Sequence, residues 1–256
     1  MAPQVWLAPT VEQVSSGSSD AKKNLRAYLR AFGYLHLSKD PDSSDADISD
    51  SDDYAALRGL QNFLGLQQSG SYDQETETAM NQIRCGVPDN DTIASIRGSR
   101  PKWHKPVITW KLLNASPNLG NNGFADARQQ IGKAFREWDQ HMPHHRLVES
   151  TGPKADIMIS FQERNHNDGF PFDGPGNVLA HAFFPVANSG GLAGDVHFDE
   201  GETWKEIFLQ HVALHEIGHS LGLAHSHDRD AVMFPILRAR SNLGREDVVR
   251  IKRLYA

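Results

Sequence analysis

The stretch HEIGHSLGLAH, at residues 215–225, decides the fold of the second half of this chain. It places two imidazoles, His215 and His219, four positions apart, so that one face of a helix presents both to a single metal ion. Gly222 can adopt the left-handed conformation that ends a helix, and the chain then returns with His225 as a third nitrogen ligand. Five fixed positions match by chance on the order of once in ten thousand chains of this length. The stretch therefore predicts a metal site on a helix and the turn beyond it.

The ligand set predicts a catalytic metal. Three neutral imidazoles leave a tetrahedral zinc with one open position, whereas a structural zinc is closed by a fourth side chain. Water at that position would have its pKa lowered to ~7. Glu216, beside the first ligand, would take the proton, the resulting hydroxide would attack a peptide carbonyl, and the glutamate would protonate the leaving amine. The plain alternative is a helix with coincidental histidines.

Composition and charge exclude several other classes of protein. The 256 residues allow one medium domain or two small ones, and 39% apolar residues suit a soluble protein with a core. No run approaches the roughly 18 apolar residues of a membrane span. The net charge of −6 lies entirely within residues 1–98, and no basic stripe exists, which argues against nucleic acid as a partner. A single cysteine rules out a disulfide framework.

The chain divides into two modules of different composition. Residues 1–98 predict a small three-helix unit, with helices around 25–33, 57–64 and 73–83 and a solvated acidic loop at 40–53. Gly and Pro mark an exposed linker around residue 98. The second module predicts a mixed α/β pattern, with strands at 107–112 and 157–161, a helix through 127–138, Gly- and Asp-rich loops over 166–202, and helices at 204–223 and 245–255.

These motifs resemble the metzincin clan, and within it the matrix metalloproteinases. Ser226, after the third histidine, is similar to the matrix branch, and Met233 in AVMFP (231–235) resembles the family's Met-turn. The resemblance implies an α+β fold: a helical prodomain at 1–98, similar to peptidoglycan-binding modules, and a catalytic domain at 99–256 with a twisted mixed five-stranded sheet and three helices. It also implies a latent, secreted zinc endopeptidase that cleaves extracellular or matrix proteins, of matrilysin-like minimal architecture without a hemopexin-like domain.

Cys85 in the stretch RCGVPD is similar to the cysteine switch of this family. By that resemblance its thiolate occupies the fourth zinc position and keeps the enzyme latent until the prodomain is removed. A soft thiolate is a good zinc ligand and is deprotonated outright by the metal. A lone cysteine is otherwise most often an inert small hydrophobic residue.

The resemblance also implies further metal sites, so that we expect two zinc ions and two or more calcium ions. A closed three-histidine, one-carboxylate set suits a structural zinc, and its residues are His166, Asp168, His181 and His197. Carboxylates and backbone oxygens suit calcium. The residues expected at the first calcium are Asp173, Gly174, Gly176, Val178, Asp199 and Glu202, and those at the second are Asp156, Asp195, Gly191 and Ala193.

Residues 178–184 resemble the edge strand that binds an extended substrate as an antiparallel strand. In the family, an S1′ pocket beside this strand sets specificity. Its expected residues are Leu179, Ala180, Pro235, Leu237 and His211. His211 stands four residues before the first zinc ligand, where a bulky polar side chain would shorten the pocket.

The resemblance implies protein or peptide substrates, tissue-inhibitor-type protein inhibitors and a monomeric state, without nucleic acid or a membrane span. Calcium loops of this kind suit the millimolar calcium outside cells, so secretion is expected. The first ten residues lack a secretory signal, which leaves either an intracellular protein or a signal already removed. The competing class is a non-catalytic module that binds cell wall or buffers metal.

Overall fold

The computed structural model describes residues 8–35, 49–89, 101–186, 191–204 and 206–256, without the side chains of 206–208. The chain forms two compact units. The described part of one comprises 8–82 and 87–89, and that of the other comprises 83–86 and the residues from 101 onward. The predicted boundary at residue 98, its linker and most of the acidic loop lie outside the described residues. No described helix is both long and apolar enough to cross a membrane.

The described residues of the helical unit form four helices, α1 (Val11–Ser15), α2 (Ser19–Ala31), α3 (Asp50–Phe63) and α4 (Gln74–Met80). The sequence predicts the last three, whereas the five residues of α1 are too few to show a helical period. Leu25 and Leu29 of α2 and Leu57 and Leu60 of α3 are buried in the core. Asp73 caps α4, since its Oδ1 accepts a hydrogen bond from the backbone N–H of residue 76 at 2.9 Å.

The described end of the acidic stretch is helical, so the prediction of a loop is wrong for residues 50–53. Ser49 and Asp52 form a capping box, in which each side chain accepts from the other residue's backbone N–H. Carboxylates in a first helical turn also interact favourably with the helix dipole. Asp53 is held inside the unit by Arg26 of α2, with Nη2 and Oδ2 2.7 Å apart. Capping therefore outweighs the composition that favoured a loop.

The second unit is built on a six-stranded sheet. Its strands are β1 (Arg84–Cys85), β2 (Val107–Leu112), β3 (Arg146–Glu149), β4 (Ile157–Gln162), β5 (Val178–Ala182) and β6 (Val196–Asp199). The order is β1-β5-β6-β4-β2-β3, and only the β5–β6 pair is antiparallel. The mixed sheet of five strands is thus confirmed in β2–β6. The two residues of β1 add a sixth strand, parallel to β5.

In the described part of this unit three α-helices complete the fold, as predicted: α5 (Gly123–Asp139), α6 (Glu206–Ser220) and α7 (Arg245–Leu254). The buried face of α5 ends at Trp138, whose Nε1 donates to the carbonyl oxygen of Leu214 at 2.8 Å. That bond fixes α6 against α5 one residue before the first histidine of the motif. Gly222 has a φ of +103° and turns the chain after α6, as its position in the motif predicts.

Helix α7 supports the turn that carries Met233. Asp247 is fully buried on the same face of α7 as Ile251 and Leu254. Its carboxylate accepts backbone hydrogen bonds from Val232 at 2.7 Å, Met233 at 3.2 Å and residue 244 at 2.9 Å. The C-terminal helix thereby fixes the backbone below the histidine cluster.

Candidate active site

Four predicted ligands converge within the second unit. His215 and His219 come from α6, His225 from the turn beyond it and Cys85 from β1; all are buried, with ligand atoms within 4.8 Å of one another. His215 Nε2 lies 3.3 Å from His225 Nε2 and 3.2 Å from His219 Nε2. Two nitrogens bound to one tetrahedral zinc at 2.0–2.1 Å are about 3.3 Å apart. The donor set and its spacing therefore fit zinc.

Backbone carbonyls orient two of the three rings. His215 Nδ1 lies 2.7 Å from the oxygen of Val232, and His219 Nδ1 lies 2.7 Å from the oxygen of Leu223. A carbonyl can only accept, so each Nδ1 carries the proton and each Nε2 directs a lone pair at the common centre. Burial and the neighbouring imidazoles hold the pKa of His219 well below its usual range. The ring of His219 is thus neutral, which is the form that binds metal.

Glu216 lies beside the cluster and contacts Cys85. The Cys85 thiol donates to Glu216 Oε2 at 3.4 Å, and both side chains are fully buried. Burial raises the pKa of Glu216 to about 8, although the hydrogen bond from Cys85 opposes this rise. The predicted general base, Glu216, and the predicted switch residue, Cys85, therefore share one buried region.

The segment 83–86 lies between β5 and the residues after Met233. The N–H of Gly86 donates to the oxygen of Ala180 at 2.8 Å, and the N–H of Cys85 donates to the oxygen of Pro235 at 3.1 Å. Leu237 donates to the oxygen of residue 83 at 3.0 Å. A Cβ on Gly86 would lie 2.8 Å from Val178 Cγ1, so only glycine fits there. The edge predicted for substrate is thus paired with the chain's own segment, in parallel.

The predicted pocket residues come from β5, from the backbone after the Met-turn and from α6. Leu179 and Ala180 lie on β5, and Pro235 and Leu237 lie across the segment 83–86. His211 is half-buried on α6 one turn before the first histidine, and its buried Nδ1 has no hydrogen-bond partner among the described residues. Burial lowers the pKa of His211. Its part in a pocket stays a prediction.

The second predicted zinc set also converges. Asp168 Oδ2 lies 2.6 Å from His166 Nε2 and 2.8 Å from both His181 Nε2 and His197 Nδ1. Burial would raise the pKa of Asp168, but hydrogen bonds from the three histidines lower it far below its usual value. Burial lowers the pKa of His181 to about 4. Three imidazoles around one carboxylate oxygen could hold a closed tetrahedral zinc.

The first predicted calcium set is brought together around a glycine-rich loop. Gly174 and Gly176 have φ values of +86° and +90°, and their N–H groups donate to Asp199 Oδ2 at 3.0 Å and Glu202 Oε1 at 2.6 Å. Burial raises the pKa of Asp173 to about 6 and that of Glu202 to about 7, and Asp199 adds to both. The oxygens of Asp173 are buried and accept no hydrogen bond of normal geometry from the part of the chain that the structure describes. Three crowded carboxylates could bind a hard cation.

The second predicted calcium set is not assembled in the same way. Asp156 accepts from Lys105 Nζ at 2.6 Å and from the N–H of Thr109 at 2.7 Å. Asp195 accepts from the N–H of Met158 at 3.0 Å. Gly191 and Ala193 lie in the loop before Asp195. A calcium site formed by these residues stays a prediction.

The Met-turn lies directly below α6. Met233 is fully buried, and a Cβ on Gly218 would overlap its sulfur and lie 3.0 Å from Trp138 Cζ2. Glycine at this position of the motif therefore lets the Met-turn and α5 approach the helix between its two histidines. The sequence predicted Met233 by resemblance, but not the reason for Gly218.

Comparison with known proteins identifies the family. Residues 102–256 match the family model described as "Matrixin". The chain belongs to the matrixin family. Residues 18–80 match a second model, described as "Putative peptidoglycan binding domain". The predicted resemblance and its α+β fold class are confirmed.

Curated relatives agree with the family match. Stromelysin-1 of Mus musculus is 42% identical over 210 residues, which cover 78% of this chain and 42% of the relative. Interstitial collagenase of Equus caballus is 40% identical over 228 residues, or 87% of this chain and 47% of the relative. Interstitial collagenase of Sus scrofa is 42% identical over 205 residues, or 78% and 42%. The matrixin therefore spans less than half the length of these relatives.

Sequence reasoning missed the residues that orient the ligands. The carbonyls of Val232 and Leu223 have no sequence signal, because every residue carries one. Asp247 did have a signal in the sequence. It stands four residues before Ile251 and seven before Leu254, which places an acid on the apolar face of a helix.

Gly218→Ala provides a test of the contact between α6 and the Met-turn. Overpacking should lower the free energy of unfolding by about 2 kcal/mol. Gly132→Ala is the matched control, because its Cβ would lie 3.4 Å from the end of the Arg136 side chain and 3.8 Å from Trp110, which are ordinary contact distances. The control should gain up to about 1 kcal/mol from helix propensity. Denaturant unfolding measures both, and equal stability of the two variants would contradict the packing argument.

Proposed function

We propose that this matrixin is a secreted zinc endopeptidase in latent proenzyme form, with a prodomain at 1–98 and a catalytic domain at 99–256. The observation that carries the proposal is the convergence of the Cys85 sulfur with the ring nitrogens of His215, His219 and His225. Thiolate and imidazole are preferred zinc donors. A site with three imidazoles is catalytic when its fourth position is open, and here that position faces a thiol. The proposal of a latent proenzyme follows from that fourth donor, Cys85.

Glu216 would move the protons in peptide hydrolysis. Zinc bound by the three imidazoles would polarise the scissile carbonyl and lower the pKa of a water. Once the Cys85 thiol has left, Glu216 Oε2 faces the space where that water would lie. The carboxylate takes one proton from the water and gives it to the nitrogen of the leaving amine. Beside a bound divalent cation the pKa of Glu216 falls again, so the carboxylate is ionised at neutral pH.

Backbone groups on two sides of the segment 83–86 would bind the substrate. When this segment leaves, the oxygens of Ala180 and Pro235 and the N–H of Leu237 become available to an extended peptide. Such pairing suits protein substrates of varied sequence, because it does not read side chains. The names stromelysin and interstitial collagenase support extracellular matrix proteins as substrates. We also propose that tissue-inhibitor-type proteins inhibit the enzyme by binding the same edge. We further propose that the protein is a monomer.

A fluorogenic peptide assay on Cys85→Ala tests the proposed activity. The full-length wild type should be silent, whereas Cys85→Ala should cleave the peptide and lose activity to a chelator. Adding Glu216→Ala to Cys85→Ala should reduce the rate by roughly 10²–10⁴-fold, the usual contribution of a general base. A zinc-loaded Cys85→Ala protein that cleaves no peptide would refute the proposal and favour a non-catalytic binding module.

The other metal sites would be structural. We assign a second zinc to the cluster of His166, Asp168, His181 and His197, whose donors leave no open position. We assign a calcium ion to Asp173, Asp199 and Glu202 with oxygens from Gly174, Gly176 and Val178. A hard cation would offset the repulsion among these buried carboxylates. The second calcium, at Asp156, Asp195, Gly191 and Ala193, is proposed by resemblance alone.

Calcium should stabilise the full chain against heat. At 100 times its Kd a bound ligand contributes about 2.7 kcal/mol, a rise of roughly 5–10 °C in the unfolding midpoint. Asp199→Asn should lose most of this rise, because it removes a charge from the centre of the carboxylate cluster. Glu163→Gln, at an exposed acid, is the matched control. The assignment is wrong if magnesium reproduces the rise or if both variants keep it.

His211→Leu should broaden cleavage toward larger P1′ residues. Replacing a half-buried imidazole by a flexible apolar side chain would deepen the pocket that we place beside α6. Cleavage of a peptide library by Cys85→Ala proteins, with and without His211→Leu, measures the P1′ profile. Gln210→Leu is the control on the neighbouring position. An unchanged profile for His211→Leu would remove His211 from the pocket.

A further inference from the structure

The loop that carries His225 is held at both ends by hydrogen bonds. Residues 223–226 follow the left-handed Gly222 and precede the Met-turn, and they belong to neither a helix nor a strand. His219 holds the oxygen of Leu223, and the N–H of Ser226 donates to the oxygen of Met233 at 2.8 Å. These bonds fix the two ends of the loop. The carbonyls of residues 224 and 225 lie between those ends and accept from a donor outside the loop.

Arg250 on α7 supplies that donor. Its Nη2 donates to the oxygen of Ala224 at 2.7 Å and approaches the oxygen of His225 at 3.4 Å. One guanidinium nitrogen therefore contacts the carbonyls on both sides of the His225 Cα. The planar guanidinium holds its donors in a fixed geometry, so it constrains the direction of both carbonyls.

Other residues on α7 hold the adjoining backbone. Glu246, one helical turn before Arg250, accepts a hydrogen bond from Ser226 Oγ. Asp247 accepts the N–H groups of Val232 and Met233. Side chains of one helix thus contact the loop on both sides of the third ligand. Among these side chains, Arg250 contacts the backbone of His225 itself.

We infer that Arg250 is a positioning residue for the zinc ligand His225. The assignment rests on the proposed function, because it assumes a metal at the three imidazoles. A ligand on a loop is placed only as precisely as the loop backbone, and partners that orient metal ligands typically affect affinity by 10–100-fold. Arg250 acts through the backbone of His225, whose carbonyl oxygen and the preceding one accept from its guanidinium.

The positive charge of Arg250 would affect metal affinity in the opposite direction from its positioning role. A cation near a divalent ion repels it, so removal of the charge alone would tighten binding. The positioning role predicts weaker binding when the side chain is shortened or made apolar. Arg250→Met removes the donor and the charge, whereas Arg250→Lys keeps the charge with a single, flexible donor. The sign of the change therefore separates the two effects.

Cobalt binding to the full-length protein tests the assignment. Cobalt bound by a thiolate absorbs in the near ultraviolet, which reports the Cys85 site alone because the cluster around Asp168 contains no sulfur. Competition with a chelator then gives the cobalt Kd of that site. We expect an increase of about tenfold or more for Arg250→Met and a smaller increase for Arg250→Lys. Arg253→Met, exposed on the same helix, should leave the Kd unchanged.

Each result decides between the proposals. An Arg250→Met Kd equal to that of Arg253→Met, or a tighter one, would overturn the positioning role and leave the proposed function intact. A wild type without thiolate absorption would overturn the proposed function and the assignment with it. Cobalt binding at the sulfur-free cluster shows whether the variant is folded. If Arg250→Met does not fold, the Kd of Arg250→Lys decides, and a wild-type value would overturn the role.

Discussion

The convergence of three imidazole lone pairs on one point is the constraint on which the rest of the second unit depends. The ring nitrogens lie 3.2–3.3 Å apart, and lone pairs at this separation repel one another unless a cation lies between them. The protein holds this arrangement by engaging the opposite nitrogen of His215 and His219 with a carbonyl. The polar geometry of the site is therefore set by backbone that lies outside the ligand motif.

Close packing brings that backbone into position. The bond from Trp138 to the oxygen of Leu214 fixes α6, and Gly218 leaves room for the sulfur of Met233 against the same helix. Gly222 has a positive φ and also lies against the carbonyl of Pro101, where no Cβ would fit. The two glycines of the motif thus serve different purposes. One admits a neighbouring side chain, and the other permits both a turn and a close backbone approach.

The sequence predicts the parts of this structure that depend on side-chain spacing. The 3.6-residue period puts His215 and His219 on one face, and alternation predicts strands such as β2 and β4. Composition was a weaker guide, since residues 50–53 are helical because of the capping box at Ser49. The backbone partners in hydrogen bonds could not be predicted for another reason, because every residue carries a carbonyl. The bonds of Arg250 to residues 224 and 225, and the pairing of β1 with β5, could not be found without the fold.

Latency in this arrangement would depend on more than a sulfur ligand. The segment 83–86 belongs to the same compact unit as the histidines, whereas residues 82 and 87 on either side belong to the helical unit. Its backbone bonds to residues 177, 180, 235 and 237 each contribute about 0.5–1.5 kcal/mol, so they would hold the thiol in place together with a bound zinc. While the chain is continuous, the segment rebinds at a high effective concentration whenever it leaves. Cleavage of the chain beyond residue 89 removes that advantage without breaking any of these contacts. Activation would then proceed by dissociation after the cut, and its rate would depend on the paired backbone as well as on Cys85.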